Sequence, residues 1–513
     1  MYKFQDPELF PNDLLTQFSS SEKIDPIGYV KLYEAAAKVA DPLLVSKILP
    51  LVLAALSLIY MTLLGKALGG MRAGIIMGIL FTLELYVTDW GKFFSAGVPR
   101  GFAMPLFGAF LYYRARNKQL AGTAMPVLQS LFYPPIYLNS AALWCISLLR
   151  RSWLAHIKKE AILLFGIVVG GLILLSMYNS NPAFLGPLVT RHESLSMPEF
   201  GPLGRSSFYR DNPLIYLFMG RAGLSLNKIS PQIVMLILMG FVLGKRLFHV
   251  DRLVYDLIAS SLLLYALSHL LLFRLHLPSR YVLYSMPVAF NLLIALNADR
   301  LVETIKAKYG LNLPDLIPAK ALTLAVIAVT IPLLAYQGVT RKPDPDMVEL
   351  TRFFRDKPKD IVIAGPPRDM NDIPLFSKRK VLVSHELSLP YYTTYYRKIK
   401  QRTFDFFAAY YSDNPHDVLE FCRKYGVDYL VINARHFDKN FIRGRIYYSP
   451  FDEYAKGVIK KSKRFVLTTI DNSKLVFHNK TYSVIKCDEE TLTTTNNRRE
   501  PDDRRERHPA RVQ

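Results

Sequence analysis

Cysteine is scarce in this chain: three in 513 residues, with no CxxC among them. That excludes a zinc ribbon and a disulfide-stapled scaffold. Cys145 lies in an apolar run and reads as an inert core thiol. Cys422 and Cys487 fall in the polar C-terminal part; they could pair in an oxidising compartment, but nothing besides compartment favours it. No cleavable signal peptide is visible. Acidic residues are also in deficit, 42 Asp and Glu against 64 Lys and Arg, for a net charge of +22. Such an excess can mark nucleic-acid binding. Here much of it lies in short clusters between apolar runs, which is how a membrane protein is oriented, so no nucleic-acid partner is expected.

Apolar residues make up 51% of the chain, with a mean hydropathy of +0.16. That is high for a soluble protein and low for one made only of membrane helices, so a membrane part plus a soluble part resolves it. A spanning helix needs ~20 apolar residues. Runs near that length cover 43–64, 73–88, 102–113, 161–178, 233–247, 257–273, 281–296 and 321–336. The stretch 121–149 is broken by "YPPIY", where Pro134 and Pro135 cannot continue a helix, and so reads as two short helices with a bend. The sequence therefore predicts a polytopic α-helical membrane protein with about nine or ten membrane helices. "NPLIYLFMG" (212–220) is too short to span and is expected to lie flat or re-enter.

Lys and Arg set the orientation. Lys66 and Arg72, then Arg114, Arg116 and Lys118, then Arg150, Arg151, Lys158 and Lys159 mark cytoplasmic connections, as do Lys245, Arg246, Arg252, Arg300, Lys306, Lys308 and Lys320. The exoplasmic side then holds residues 1–42, the "TDWGKFFSAGVPRG" loop, the 179–230 loop, "RLHLPSR" and everything after Gly338. An exoplasmic start this short would have to cross unaided, and a further apolar helix ahead of it is the simpler expectation. From 341 to 488, "KDIVIAGPP", "KVLVSHE" and "VDYLVINA" read as strands, and "NPHDVLEFCRKYG" as an amphipathic helix capped by its Asn or Pro. Strands alternating with helices predict a small exoplasmic α/β domain. The boundaries are thus 1–42 for an acidic first loop, 43–338 for the membrane domain, 341–488 for the α/β domain and 489–513 for a disordered tail almost without apolar residues.

Charged residues gather beside helix ends on the exoplasmic face: Asp6, Glu8 and Asp13 in "DPELFPND"; Asp89 and Arg100; Arg191, His192 and Glu193; Arg274, His276 and Arg280. A carboxylate at a membrane surface can act as a general base toward an acceptor hydroxyl, or help hold a divalent cation. Arginine suits a lipid phosphate through paired hydrogen bonds. Each residue alone also has an ordinary reading, since loop carboxylates are commonly solvated and Pro-Asn-Asp is turn chemistry. His269, inside an apolar run, is either a proton-relay residue or a hydrogen-bonded structural one.

Taken together, the pattern resembles the GT-C superfamily of integral-membrane glycosyltransferases, which use polyprenyl-phosphate sugars, over roughly residues 1–488. "DPELFPND" stands where that superfamily has its first-loop catalytic acid, "DWGKFFSAGVPRG" at its second outer loop, and "LPSRY" resembles the Arg-Tyr at the head of a late helix. "KDIVIAGPPRDMNDIPLFSKRKVLVSHE" and "KYGVDYLVIN" resemble the tail domains of bacterial members. The first loop departs from the pattern in having no adjacent Asp-Glu pair, and the usual first helix is not in the sequence. The resemblance implies an inverting transfer with Asp6 or Asp13 as base, and Asp89, Arg100, Arg280 and Tyr281 at the substrate. It implies a polyprenyl-phosphate sugar donor, a glycan, lipid or protein acceptor, and a place in the bacterial inner membrane. No cofactor is fixed by it, although a divalent cation, Mg or Mn, stays open. A transporter or lipid flippase, or a polysaccharide polymerase or ligase, is the alternative.

Overall fold

The computed structural model describes residues 1–21, 24–87, 89–94, 97–150, 160–179, 182–275, 277–310, 328, 332 and 344–493. It divides into two compact units: Met1–Pro343 with Leu387–Lys398, and Asp344–Glu386 with Ile399–Gln513.

The first unit is helical and apolar. Among the described residues five helices are long and apolar enough to cross a membrane: Pro42–Tyr86, Ala161–Asn179, Leu226–Gly244, Arg252–Leu270 and Ser279–Tyr309. They make the chain an integral membrane protein. The expected count was higher for identifiable reasons. The stretch Pro42–Val87 is two legs joined at Gly70, whose φ of +82° only glycine adopts freely, so two expected spans form one hairpin. The expected spans at 102–113 and 121–149 are the helices Ala103–Ala115, Gln119–Phe132 and Pro134–Arg150, each short of a full crossing. The span expected at 321–336 lies almost wholly outside the described residues.

Small residues let the hairpin legs touch. A Cβ on Gly65 would meet the Ala73 carbonyl at 2.7 Å, one on Gly74 the Thr62 carbonyl at 2.7 Å, and one on Gly78 Thr62 Oγ1 at 2.7 Å. Close backbone approach of this kind is how helices associate where lipid removes the hydrophobic drive. The outward faces stay apolar, with Phe165, Leu172, Val234 and Phe241 exposed, as a bilayer-facing surface should. Polar groups turn inward: buried Glu84 accepts hydrogen bonds from Gln232 and from Asn291 (3.3 Å), side chains of two other helices. "NPLIYLFMG" forms only the short helix Pro213–Phe218, capped by Asn212 and with no buried residue.

Residues 1–42 are packed into this unit and do not form a separate loop. Tyr2, Leu9 and Phe10 cluster with Leu43, and Gln5 Nε2 donates to the Ala37 carbonyl at 2.9 Å. The segment Leu387–Lys398 also belongs here, against the expected 341–488 boundary. Backbone bonds hold it: Val189 N to the Tyr391 carbonyl at 2.9 Å and Thr393 N to the Pro187 carbonyl at 3.0 Å. Phe18 stacks on Tyr395 at 3.8 Å.

The second unit is an α/β sheet of five strands in the order β2-β1-β3-β5-β4. They are β1 (Val362–Ala364), β2 (Lys380–Val381), β3 (Tyr429–Asn433), β4 (Leu475–His478) and β5 (Tyr482–Lys486). β1 pairs in parallel with β2 and β3, and β5 runs antiparallel to β3 and β4. Helix Pro415–Tyr425 starts at Asn414, whose side chain accepts from His416 N as the sequence predicts, and stops at Gly426 with φ +60°. Cys422 and Cys487 form a disulfide with Cα atoms 5.9 Å apart. The sequence disfavoured this pairing because nothing in it brings the two together. The fold does, since Val427 N bonds the Cys422 carbonyl just before β3 and Cys487 N bonds the Asp428 carbonyl just after β5. Within the stretch expected to be disordered, Glu489–Thr493 is a short helix, anchored by buried Leu492 and by an ion pair from Arg423 to Glu489; 494–513 lie outside the described residues.

Candidate functional site

At one end of the helical unit, three breaks in helix structure meet. The first is the start of helix Ile27–Ala36, set by Pro26. Tyr29 and Tyr33, one turn apart, both donate to the Gly97 carbonyl, at 2.7 and 2.9 Å. That carbonyl opens the turn leading to the 3-10 helix Pro99–Phe102. Gly28 is needed because a Cβ there would meet Leu131 at 2.9 Å.

The second break is at Tyr133. Pro134 ends the helix Gln119–Phe132 and frees Tyr133 from helical dihedrals. Phe132 stacks on Phe102 at 4.4 Å. The third is the junction of the helices Ser279–Leu283 and Ser285–Tyr309, next to which the "DWGKF" 3-10 turn docks. Trp90 Nε1 donates to the Leu283 carbonyl at 3.2 Å, and the Phe93 ring lies 5.0 Å from that of Tyr284.

Arg280 sits at the meeting point. Its Nη1 donates to the Tyr133 hydroxyl at 2.9 Å and lies 3.4 Å from that of Tyr284, and the two phenols are 2.8 Å apart. Among the described residues no carboxylate pairs with it. A guanidinium drawn out of water and met only by neutral phenols is poorly compensated, and an anion entering there would complete its hydrogen bonds. Arg100, on Pro99–Phe102, is half-buried, and its Nε has no hydrogen-bond partner among the described residues. Tyr281, in contrast, is buried and donates its hydroxyl to the Leu275 carbonyl, so it fixes the approach to its helix. The Asp89 side chain lies outside the described residues, as does His276.

The first-segment carboxylates differ from one another. Asp6 Oδ1 accepts from Glu8 N at 3.3 Å in a half-exposed turn. Asp13 caps the helix Leu14–Ser19, its Oδ2 accepting from Thr16 N at 2.8 Å and from Thr16 Oγ1 at 2.6 Å. Asp25, which sequence reasoning missed, stands directly before Pro26 and adds to the electrostatic field at Tyr29 and Tyr33. Burial pushes its carboxyl up to about 6. The one sequence signal was Asp-Pro at a helix start, which reads equally well as a cap.

A cavity of about 620 Å³ lies nearby in sequence, between the ends of Ala161–Asn179 and Arg252–Leu270. Arg191, Arg274, Thr190, Tyr178, Leu270 and Tyr392 line it. His269 is held beside it by Tyr216, 3.3 Å from Nδ1, and by the Ala222 carbonyl, 3.0 Å from Nε2, which fits the structural reading. Among the described residues no group of three His, Cys, Asp or Glu is placed to hold a metal ion.

The family model "Dpy19: Q-cell neuroblast polarisation" matches residues 334–487, less than a third of the chain. No curated protein matches it by sequence. Among solved structures it is similar to ArnT from Cupriavidus metallidurans in the apo state, at 12% identity and a TM-score of 0.48 over 95% of this chain and 94% of that one. The same protein bound to undecaprenyl phosphate gives 12% identity and 0.45, with the same coverage. The Archaeoglobus fulgidus oligosaccharyltransferase tethered to an acceptor peptide gives 13% identity and 0.41, over 85% of this chain. The chain spans only 63% of that protein's length.

Proposed function

We propose that this chain is a membrane glycosyltransferase that moves a sugar from a polyprenyl-phosphate donor to a glycan, lipid or protein acceptor. The observation that carries it is Arg280, held by Tyr133 and Tyr284 at the end of an apolar helix bundle, without a carboxylate partner among the described residues. A lipid phosphate has the charge to satisfy that guanidinium, and its polyprenyl chain suits the apolar outer faces of the helices. Arg100, whose Nε has no partner among the described residues, is the second cation for the leaving group.

The reaction is a displacement at the sugar C1. The acceptor oxygen forms the new bond as its proton passes to a carboxylate, and the bond from C1 to the phosphate oxygen breaks with its electron pair leaving on the lipid phosphate. Arg280 and Arg100 stabilise the charge that develops there. Of Asp6, Asp13 and Asp25, Asp25 fits the base best. Asp13 is engaged in capping, whereas Asp25 is half-buried and its carboxyl is pushed up to about 6, near the value that suits proton transfer at neutral pH. Tyr281, whose hydroxyl is tied to the Leu275 carbonyl, fixes the start of the helix that carries Arg280.

The disulfide Cys422–Cys487 supports an exoplasmic C-terminal unit, because such bonds persist in oxidising compartments; a bacterial inner membrane with that unit outside is the placement we propose. The transporter alternative would draw on Glu84 and His269, but hydrogen bonds to Glu84 from Gln232 and Asn291, and those of His269 with Tyr216 and the Ala222 carbonyl, support structural roles for both. The test is transfer of radiolabelled sugar from polyprenyl-phosphate donors by membranes containing the chain. Label arriving in an acceptor fraction is expected; no transfer from any such donor would overturn the proposal.

A further inference from the structure

The second unit carries a constellation that the transfer reaction does not use. After β1 the chain crosses to β2 on one side, then returns past β1 to form β3 on the other. From β3 it continues toward β5 and β4, away from β2. The connections leaving β1 and β3 therefore diverge. In open α/β sheets such a switch point leaves a crevice beyond the carboxyl ends of the two strands, and ligands bind there.

Here that crevice is furnished. Asp369, in the connection after β1, accepts a 2.8 Å hydrogen bond from Asn433, the last residue of β3, so the pair ties the two loops at the floor. Only Asp369 Oδ2 is used; Oδ1 takes no donor among the described residues. His436, in the connection after β3, stacks on Phe441 at 4.1 Å, and its ring nitrogens make no hydrogen bond among the described residues. Arg368 is exposed and acts electrostatically on both Asp369 and His436, with its guanidinium 5.9 Å from the Tyr447 ring. Arg435 is exposed, acts on Asp369, and donates to Thr481 Oγ1 at 3.2 Å. Burial holds the imidazole neutral, at about 4, so it offers one donor and one acceptor.

We infer that the crevice between β1 and β3 binds a sugar ring through its hydroxyls. Each hydroxyl both donates and accepts, and the crevice interleaves an open carboxylate oxygen, a neutral imidazole and two guanidinium forks. A phosphate would face Asp369 as a like charge; a metal ion would face two arginines. The Tyr447 ring supplies an apolar wall of the kind that binding sites pair with a few placed polar groups.

Binding is read on the full chain in detergent, without requiring transfer, so failure here is distinct from failure of the transferase proposal. Mannose, galactose, glucose and N-acetylglucosamine would be titrated separately, and inorganic phosphate in parallel, by saturation-transfer NMR. At least one hexose should bind, and Asp369→Asn should weaken it about ten- to a hundred-fold, the range for a charged hydrogen bond. Arg435→Gln, an exposed change, should weaken it in the same direction and carries the test if Asp369→Asn fails to fold. Glu420→Gln, on the exposed face of a distant helix, should leave it unchanged. Binding of no hexose, hexose binding indifferent to both variants, or variant-sensitive binding of phosphate alone would each overturn the inference.

Discussion

The two units of this chain solve opposite problems. In the helical unit, leucine, valine and phenylalanine face outward, while Glu84, Gln232 and Asn291 are turned inward, the two amides donating to the carboxylate. In the α/β unit, Ile363, Val431 and Val484 are fully buried, and the charged side chains Arg423, Lys424 and Glu489 lie outside. One sequence is thus written for two solvents. The difference shows where each unit keeps a charge that its interior does not neutralise: Arg280 at the rim of the bundle, Asp369 at the switch point of the sheet.

The sharpest way to break this comparison is a change that silences one unit and spares the other. Asp25→Asn removes a proton acceptor while keeping its size, so sugar transfer should fall by ~10²–10⁴-fold with the thermal unfolding of the α/β unit unmoved. A loss of both would mean that Asp25 is structural. In the wild type, the pH profile adds a second reading: transfer should decline as pH falls through about 6, where Asp25 takes up its proton.

Cys422→Ser should act the other way round. Removing a native cross-link typically costs ~2–5 kcal/mol, so the α/β unit should unfold at lower temperature in calorimetry while the helical unit keeps its transition. Adding reductant to the wild type should reproduce the shift. Full labelling of both thiols without reductant would remove the disulfide from the account.

A smaller effect tests the link between Ile27–Ala36 and the Gly97 turn. Tyr33→Phe deletes one of two hydroxyls on that carbonyl, a loss of ~0.5–1.5 kcal/mol. Transfer should fall a few-fold, and Tyr29→Phe with Tyr33→Phe should cost more than either alone. The smallest is a pH effect on the α/β unit. Burial raises Asp369 to about 6 from an ordinary value of 3.8, so the folded unit holds that proton more tightly than the unfolded chain. Its stability should therefore decline as pH rises from about 3.8 through about 6, and Asp369→Asn should flatten that slope in denaturant titrations.

Much of the fold was legible because the responsible signals are local. Apolar runs marked the long helices, Pro134 and Pro135 marked the break at Tyr133, and Asn414 with Gly426 bounded their helix. β4 and β5 escaped notice, since "LVFH" and "YSVIK" are short and the Asn479–Lys480 turn between them carries no glycine. The site was legible in part. "LPSRY" pointed to Arg280, but its partner Tyr133 is fixed by a proline break far away in the chain. Asp25 was illegible because its burial depends on packing by distant parts of the fold, which no local pattern encodes. The disulfide was hidden for a similar reason: only the antiparallel pairing of β3 with β5 brings Cys422 and Cys487 together.

The most direct test compares transfer from a polyprenyl-phosphate sugar by membranes carrying wild type, Asp25→Asn, Asp6→Asn, Asp13→Asn and Arg280→Lys at matched protein levels. The account predicts transfer by the wild type, a loss of ~10²-fold or more in Asp25→Asn, and smaller losses in Asp6→Asn and Asp13→Asn. Arg280→Lys should also lose most of its rate, since lysine cannot make the forked phosphate contact. Wild-type rates in both Asp25→Asn and Arg280→Lys would contradict it.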